Sequence, residues 1–76
     1  MALERIAVAP DVMGGVPCIR GTRIPVATVV GMVGDGMTVD AITFEYPQLE
    51  ADDVVAALRY AAQAVDVHEL AVRRLG

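Results

Sequence analysis

The chain has no lysine, a single cysteine (Cys18) and a single histidine (His68) in 76 residues. Each shortage closes off a class of chemistry. One cysteine excludes an internal disulfide. One cysteine with one histidine leaves a four-ligand zinc site dependent on carboxylates, and none is spaced for that. Without lysine, neither "GG" (14–15) nor "GDG" (34–36) is a phosphate loop, whose spacing they also lack. The longest uncharged run, Ile24 to Gly34, is too short to span a bilayer. The opening "MALERIAVAP" lacks the apolar core behind a basic end that marks a signal peptide. Repeats, low-complexity tracts and long linkers are also missing. The expectation is one cytoplasmic domain, residues 1–76, with no cofactor, no metal and no membrane partner.

What is abundant is apolar surface. The chain is 55% hydrophobic, with a mean hydropathy of +0.52. A chain this short buries only about 60% of its unfolded surface. Disulfide and metal being excluded, a partner chain is the stabilising device that remains, and a homodimer or higher oligomer is expected. Charge is uneven. Residues 1–34 carry three arginines and two acids, or +1, and residues 35–76 carry three arginines and eight acids, or −5. A polyanion would therefore meet the first part. Arginine suits bidentate contact with carboxylate or phosphate, although a G- and C-rich genome would give the same bias.

The pattern predicts a mainly α fold: a short N-terminal two-stranded β-ribbon, then three helices with a long third. "RIAV" (5–8) alternates like a strand, "APDVMGG" (9–15) reads as a turn, and "VPCIRGTRI" (16–24) is extended again. Pro17 suits an edge position, where its missing N–H does little harm. A first helix begins at Pro25, placed at the first helical position, with Val26, Val29, Val30 and Val33 on one face and Gly34 and Gly36 ending it. A second is capped by Thr38, turns Val39, Ile42 and Tyr46 inward and stops at Pro47. A third runs from about Glu50 to Arg74, with acids at its positive pole and arginines at its negative one. Along it Val54, Leu58, Ala61, Val65, His68, Val72 and Leu75 form a heptad-like seam. Residues 1–24 are thus a ribbon arm, 25–76 a helix-turn-helix-like bundle, and 64–76 an extension free for contact.

An enzyme is not expected. His68 lies on an apolar seam, where a core or interface histidine belongs. Cys18, between Pro17 and Ile19, reads as a small buried hydrophobe. Asp52 and Asp53 point about 100° apart on a helix and cannot clamp one group. For DNA, a helix-turn-helix would present the start of its third helix, but here that start is Glu50, Asp52 and Asp53, which would repel phosphates. The candidate nucleic-acid contacts are Arg20 and Arg23 on the ribbon, with Arg5 close by; salt bridges to the acidic part are the competing role of Arg20 and Arg23. A protein-binding module accounts for the apolar excess and the overlong helix together.

"GGVPCIRGTRIPV" (14–26), the turn "GDGMTVDAI" and "YPQLEADDVVAALRYA" resemble a bacterial family, domain-of-unknown-function family 433, over about Ile6 to Ala62. The resemblance rests on Gly21-Thr22-Arg23-Ile24-Pro25-Val26 together with Tyr46-Pro47-x-Leu49 and Asp53-Val54. It implies a homeodomain-like fold. It also implies the antitoxin half of a toxin–antitoxin pair, acting on a PIN-like ribonuclease encoded nearby and binding its own promoter DNA as a dimer. Val16 stands where the family often has lysine, and Glu50 where it often has a Thr or Ser cap. Both departures weaken the promoter expectation. On this reading the helix end packs on the toxin or a second copy through Val65, His68, Leu70, Val72, Arg73, Arg74 and Leu75. Arg73 or Arg74 would compete for the nuclease's clustered carboxylates.

Overall fold

A computed structural model describes residues 2–8 and 13–75, with side chains over 4–8 and 14–65. Strand β1 (Ile6–Ala7) pairs antiparallel with β2 (Cys18–Ile19), Ile6 opposite Ile19 and Ala7 opposite Cys18. Helices α1 (Val26–Gly34), α2 (Val39–Glu45) and α3 (Ala51–Leu75) follow. This is the expected ribbon and three-helix order. The strands are shorter than the extended runs suggested, and residues 2–5 form a 3₁₀ turn that the alternation of "RIAV" did not foretell.

The ribbon turns sharply after β2. Ile19 O accepts from Thr22 N at 3.0 Å and from the Thr22 hydroxyl at 2.7 Å, and Thr22 Oγ1 accepts from Ile24 N at 3.0 Å. Gly21 sits third in that turn at φ +80°, the position where a type II turn takes glycine. The chain then folds back, and Val26 N donates to Pro17 O at 2.9 Å. The carbonyl of Pro17 thus ties the edge to the first residue of α1. Pro25 lies one place earlier than expected, as the N-cap, with φ −65° and ψ 147°.

Chemical punctuation bounds α1 and α2. After α1, Gly36 N donates to Val33 O and Met37 N to Met32 O, the paired bonds of a Schellman cap, with Gly36 at φ +93°. Gly36→Ala forces a Cβ into that left-handed conformation. A loss of about 1 kcal/mol is expected, to be read as a lowered denaturant midpoint with an unchanged m-value. The Thr38 hydroxyl accepts from Ala41 N at 3.1 Å and caps α2 as expected. At its other end Tyr46 is extended (φ −123°) ahead of Pro47.

The core sits where the ribbon, α1, α2 and the first half of α3 meet. Ile19, Val29, Ile42 and Val54 are sealed from solvent, with Ile6, Val26, Leu49, Ala56 and Ala57 around them. Two expectations need correction. Val39, at the first position of α2, is 37% exposed rather than inward. The α3 seam divides: Val54 is in the core, whereas Leu58 and Val65 are 37% and 54% exposed. The core face of α3 is set by Asp53, Val54, Ala56 and Ala57, so a 4-3 seam drawn from Val54 leaves the body within one turn. At 25 residues, α3 is about 37 Å long.

Candidate functional site

Two features stand beside the core. One is a knot of charge at the start of α3. Glu50 precedes the helix and has no short hydroxyl with which to cap it. Asp53 does that from inside the first turn: its Oδ2 accepts from Glu50 N at 2.9 Å, the reciprocal half of a capping box. Its Oδ1 accepts from Arg5 Nη1 at 2.9 Å. The same Nη1 donates to Glu50 Oε1 at 3.0 Å, and Nη2 lies 3.6 Å from Asp52 Oδ2. The Asp53 side chain is 10% exposed, while those of Glu50 and Asp52 are open. The hydrogen bonds to Asp53 and then Glu50 raise the Arg5 guanidinium above its ordinary value. Its contribution is lost only as pH rises through that raised value, so Arg5 stays charged, and its pairing constant, across neutral pH.

Arg20 is tied into the same knot through the backbone. Its Nε donates to Glu4 O at 2.6 Å, its Nη2 to Ile6 O at 3.1 Å, and its own N–H to Arg5 O at 2.7 Å. Three successive carbonyls of the 3₁₀ turn and β1 are thus satisfied by one residue. Of the three arginines raised as nucleic-acid contacts, Arg5 holds the ribbon to the start of α3 and Arg20 holds the turn after β2 to the segment that carries Arg5. Arg23 is exposed and has no ion pair among the described residues. Cys18 is buried, and its Sγ lies 3.4 Å from Val16 O, the small hydrophobe the sequence suggested.

The second feature is an open apolar groove of about 420 Å³ where α3 leaves the body. Val16 and Pro17 of the ribbon form one wall, Val26, Ala27, Val30 and Gly31 of α1 the floor, and Tyr60, Ala61, Ala64 and Val65 of α3 the other wall. The groove exists because small residues face each other there. Ala27 and Gly31 are one turn apart on α1, as are Ala61 and Ala64 on α3, so the helices leave space between them. That spacing of alanine and glycine was the available sequence signal, and the apolar periodicity hid it. Of the residues expected at the contact, Val65 lines the groove. His68, Leu70, Val72, Arg73, Arg74 and Leu75 follow it on the same helix, and their side chains lie outside the described residues. Among the described residues, no group of three or more His, Cys, Asp or Glu is placed to hold a metal ion. No described helix is long and apolar enough to cross a membrane.

Comparison with known proteins agrees with this architecture. The model of a family described as proteins of unknown function, DUF433, matches residues 6–61. An uncharacterized protein of Sinorhizobium fredii is 38% identical over 60 residues, which is 79% of this chain; the chain spans 27% of that relative's length. The crystal structure of a DUF433 member protein from Anabaena variabilis matches with a TM-score of 0.75 at 35% identity, over 91% of this chain and 68% of that one.

Proposed function

This chain belongs to the DUF433 family, and from that premise we propose that it is a protein-binding module, the antitoxin of a toxin–antitoxin pair whose target is a PIN-like ribonuclease. One observation carries the reading: an almost wholly apolar groove lies open at the foot of a helix that outruns its own body. An open groove of this size takes a few apolar side chains of a partner, with α3 as a rail beside it. The charges nearby fit a protein partner better than a phosphate backbone. Arg5 and Arg20 are spent on internal bonds, and the exposed Glu50 and Asp52 stand at the end of α3 that a helix-turn-helix would offer to DNA. Beyond the groove, Arg73 and Arg74 end the helix, where either would meet the carboxylates that hold metal in such a nuclease.

Gly31 gives the cleanest test. A Cβ added there meets no atom within 4 Å, and its φ is not in the left-handed region. Gly31→Leu therefore fills the groove without strain and removes a helix-interior glycine that costs about 1 kcal/mol relative to alanine. The chain is co-expressed with the nuclease-like protein of its own gene neighbourhood and purified through a high-salt wash. The wild-type chain is expected to retain that protein stoichiometrically and silence its ribonuclease activity. Gly31→Leu is expected to lose both while melting no lower than wild type. Truncation after Ala71 is expected to free the nuclease. A stable Gly31→Leu chain that inhibits as well as wild type overturns the groove. Stoichiometric recovery of an unrelated protein in place of a nuclease overturns the antitoxin reading.

A further inference from the structure

The face of α3 opposite the core is also apolar and uncovered. Val55 and Val65 are 43% and 54% exposed, Leu58 is 37% exposed, and Ala62 is open between them; Val65, at the border, is shared with the groove wall. Their spacing is 3-4-3, the seam of a two-helix coil, with Val55 and Ala62 at a positions and Leu58 and Val65 at d. Counting on in the same frame, Glu69 and Val72 take the next a and d positions. The e positions beside this seam are Asp52, Arg59, Asp66 and Arg73: charges that alternate in sign at intervals of seven. The g positions, Val54, Ala61, His68 and Leu75, hold no carboxylate and no arginine.

Those two rows distinguish the ways in which a second helix can lie on the seam. In a parallel pair e faces g, and the alternating charges meet no opposite charge. In an antiparallel pair e faces e. With Val55 against Val72 of the second copy, and Ala62 against Val65 of the second copy, the e row aligns Asp52 with Arg73 and Arg59 with Asp66, each pair occurring twice by symmetry. Sliding either helix by one heptad sets Arg59 against an arginine or Asp66 against an aspartate. One register is attractive throughout, and its neighbours are repulsive.

We propose that this chain forms an antiparallel homodimer through the outer face of α3, in the register that pairs Arg59 with Asp66 and Asp52 with Arg73 of the second copy. The occupant is a second copy because the charge row is complementary to its own reverse, which an unrelated helix has no reason to be. Asp52 is available: its contact with Arg5 is long, and its side chain is 79% exposed. The core residues of α3, Val54, Ala56 and Ala57, lie away from this seam. One layer is poor. Leu58 meets Glu69 of the second copy, which keeps the dimer reversible. The inference does not depend on the nuclease reading. It divides the work at the helix end, with Arg73 used between copies and Arg74 left for a target.

Sedimentation equilibrium on the chain alone tests it. A reversible dimer is expected. Arg59→Asp turns two attractive pairs into two repulsive ones and should weaken the dimer about tenfold, as should Asp66→Arg. The double variant restores both pairs with reversed sign and should return to within about twofold of wild type, which separates lost pairing from lost folding. Glu69→Leu should tighten the dimer. A monomer at all concentrations, a dimer indifferent to the single swaps, or a double variant no stronger than the singles overturns the proposal. A nuclease complex lost with the dimer intact bears on the groove alone.

Discussion

Truncating Ile42 to alanine is expected to cost this chain about 3 kcal/mol and to lower its melting midpoint by roughly 15 °C. Ile42 is sealed from solvent in the middle of α2, against the core residues of α1 and α3. Loss of three buried carbons removes their transfer energy and leaves a cavity, and changes of this type cost about 2–5 kcal/mol. The site collapses poorly because α2 is pinned at both ends, by the Thr38 cap and by Pro47. In a domain of this size each kcal/mol shifts the midpoint by about 4–8 °C. Total stability is itself only about 5–15 kcal/mol, so this one change consumes much of it. Thermal unfolding followed by circular dichroism checks the prediction. A loss below about 1 kcal/mol would mean that α2 closes over the gap and is not held as described.

Ile42 was legible as a core residue before any coordinates, and the reason is local. Thr38 and Pro47 mark the ends of α2 by their own chemistry, and between them only one frame turns a large aliphatic inward. The same holds for α1, with its run of valines and its terminal glycines. Legibility stops where partners are distant in sequence. Arg5 read as a cation free to meet phosphate because its carboxylates lie 45 and 48 residues away. Arg20 read as either a phosphate contact or a salt-bridge partner because backbone carbonyls, its actual acceptors, leave no mark in a sequence. Val39 read as inward since periodicity counts faces but does not say how far a neighbour reaches. The groove escaped notice for a related reason: Ala27, Gly31, Ala61 and Ala64 look like ordinary helix residues until α1 and α3 are laid side by side. On α3 the seam from Val54 mixed core and outer faces, and only burial separates Val54 from Leu58 and Val65.

Asp53→Ala is expected to cost about 2 kcal/mol and to loosen the ribbon as well as the helix it caps. Asp53 uses both oxygens, one on Glu50 N and one on Arg5. The capping bond alone is worth about 1 kcal/mol. The Arg5 bond is charge-assisted, and its share is discounted because the guanidinium is open to solvent. Asp53→Asn separates the two oxygens. An asparagine supplies one acceptor and places its NH₂ against the other donor, so it should recover less than half of the loss. Added salt should weaken the ion-pair share and leave the cap untouched, which makes the variant–wild-type difference smaller in 1 M NaCl than in 0.1 M. The loss should also spread beyond α3. Arg20 N is bonded to Arg5 O, so once Arg5 loses its anchor the amide of Arg20 should exchange faster with solvent, whereas the α1 amides should follow global stability alone. Unchanged protection at Arg20 would place the hold on the ribbon in the side chain of Arg20, through its bonds to the carbonyls of Glu4 and Ile6, with Arg5 serving only the helix start.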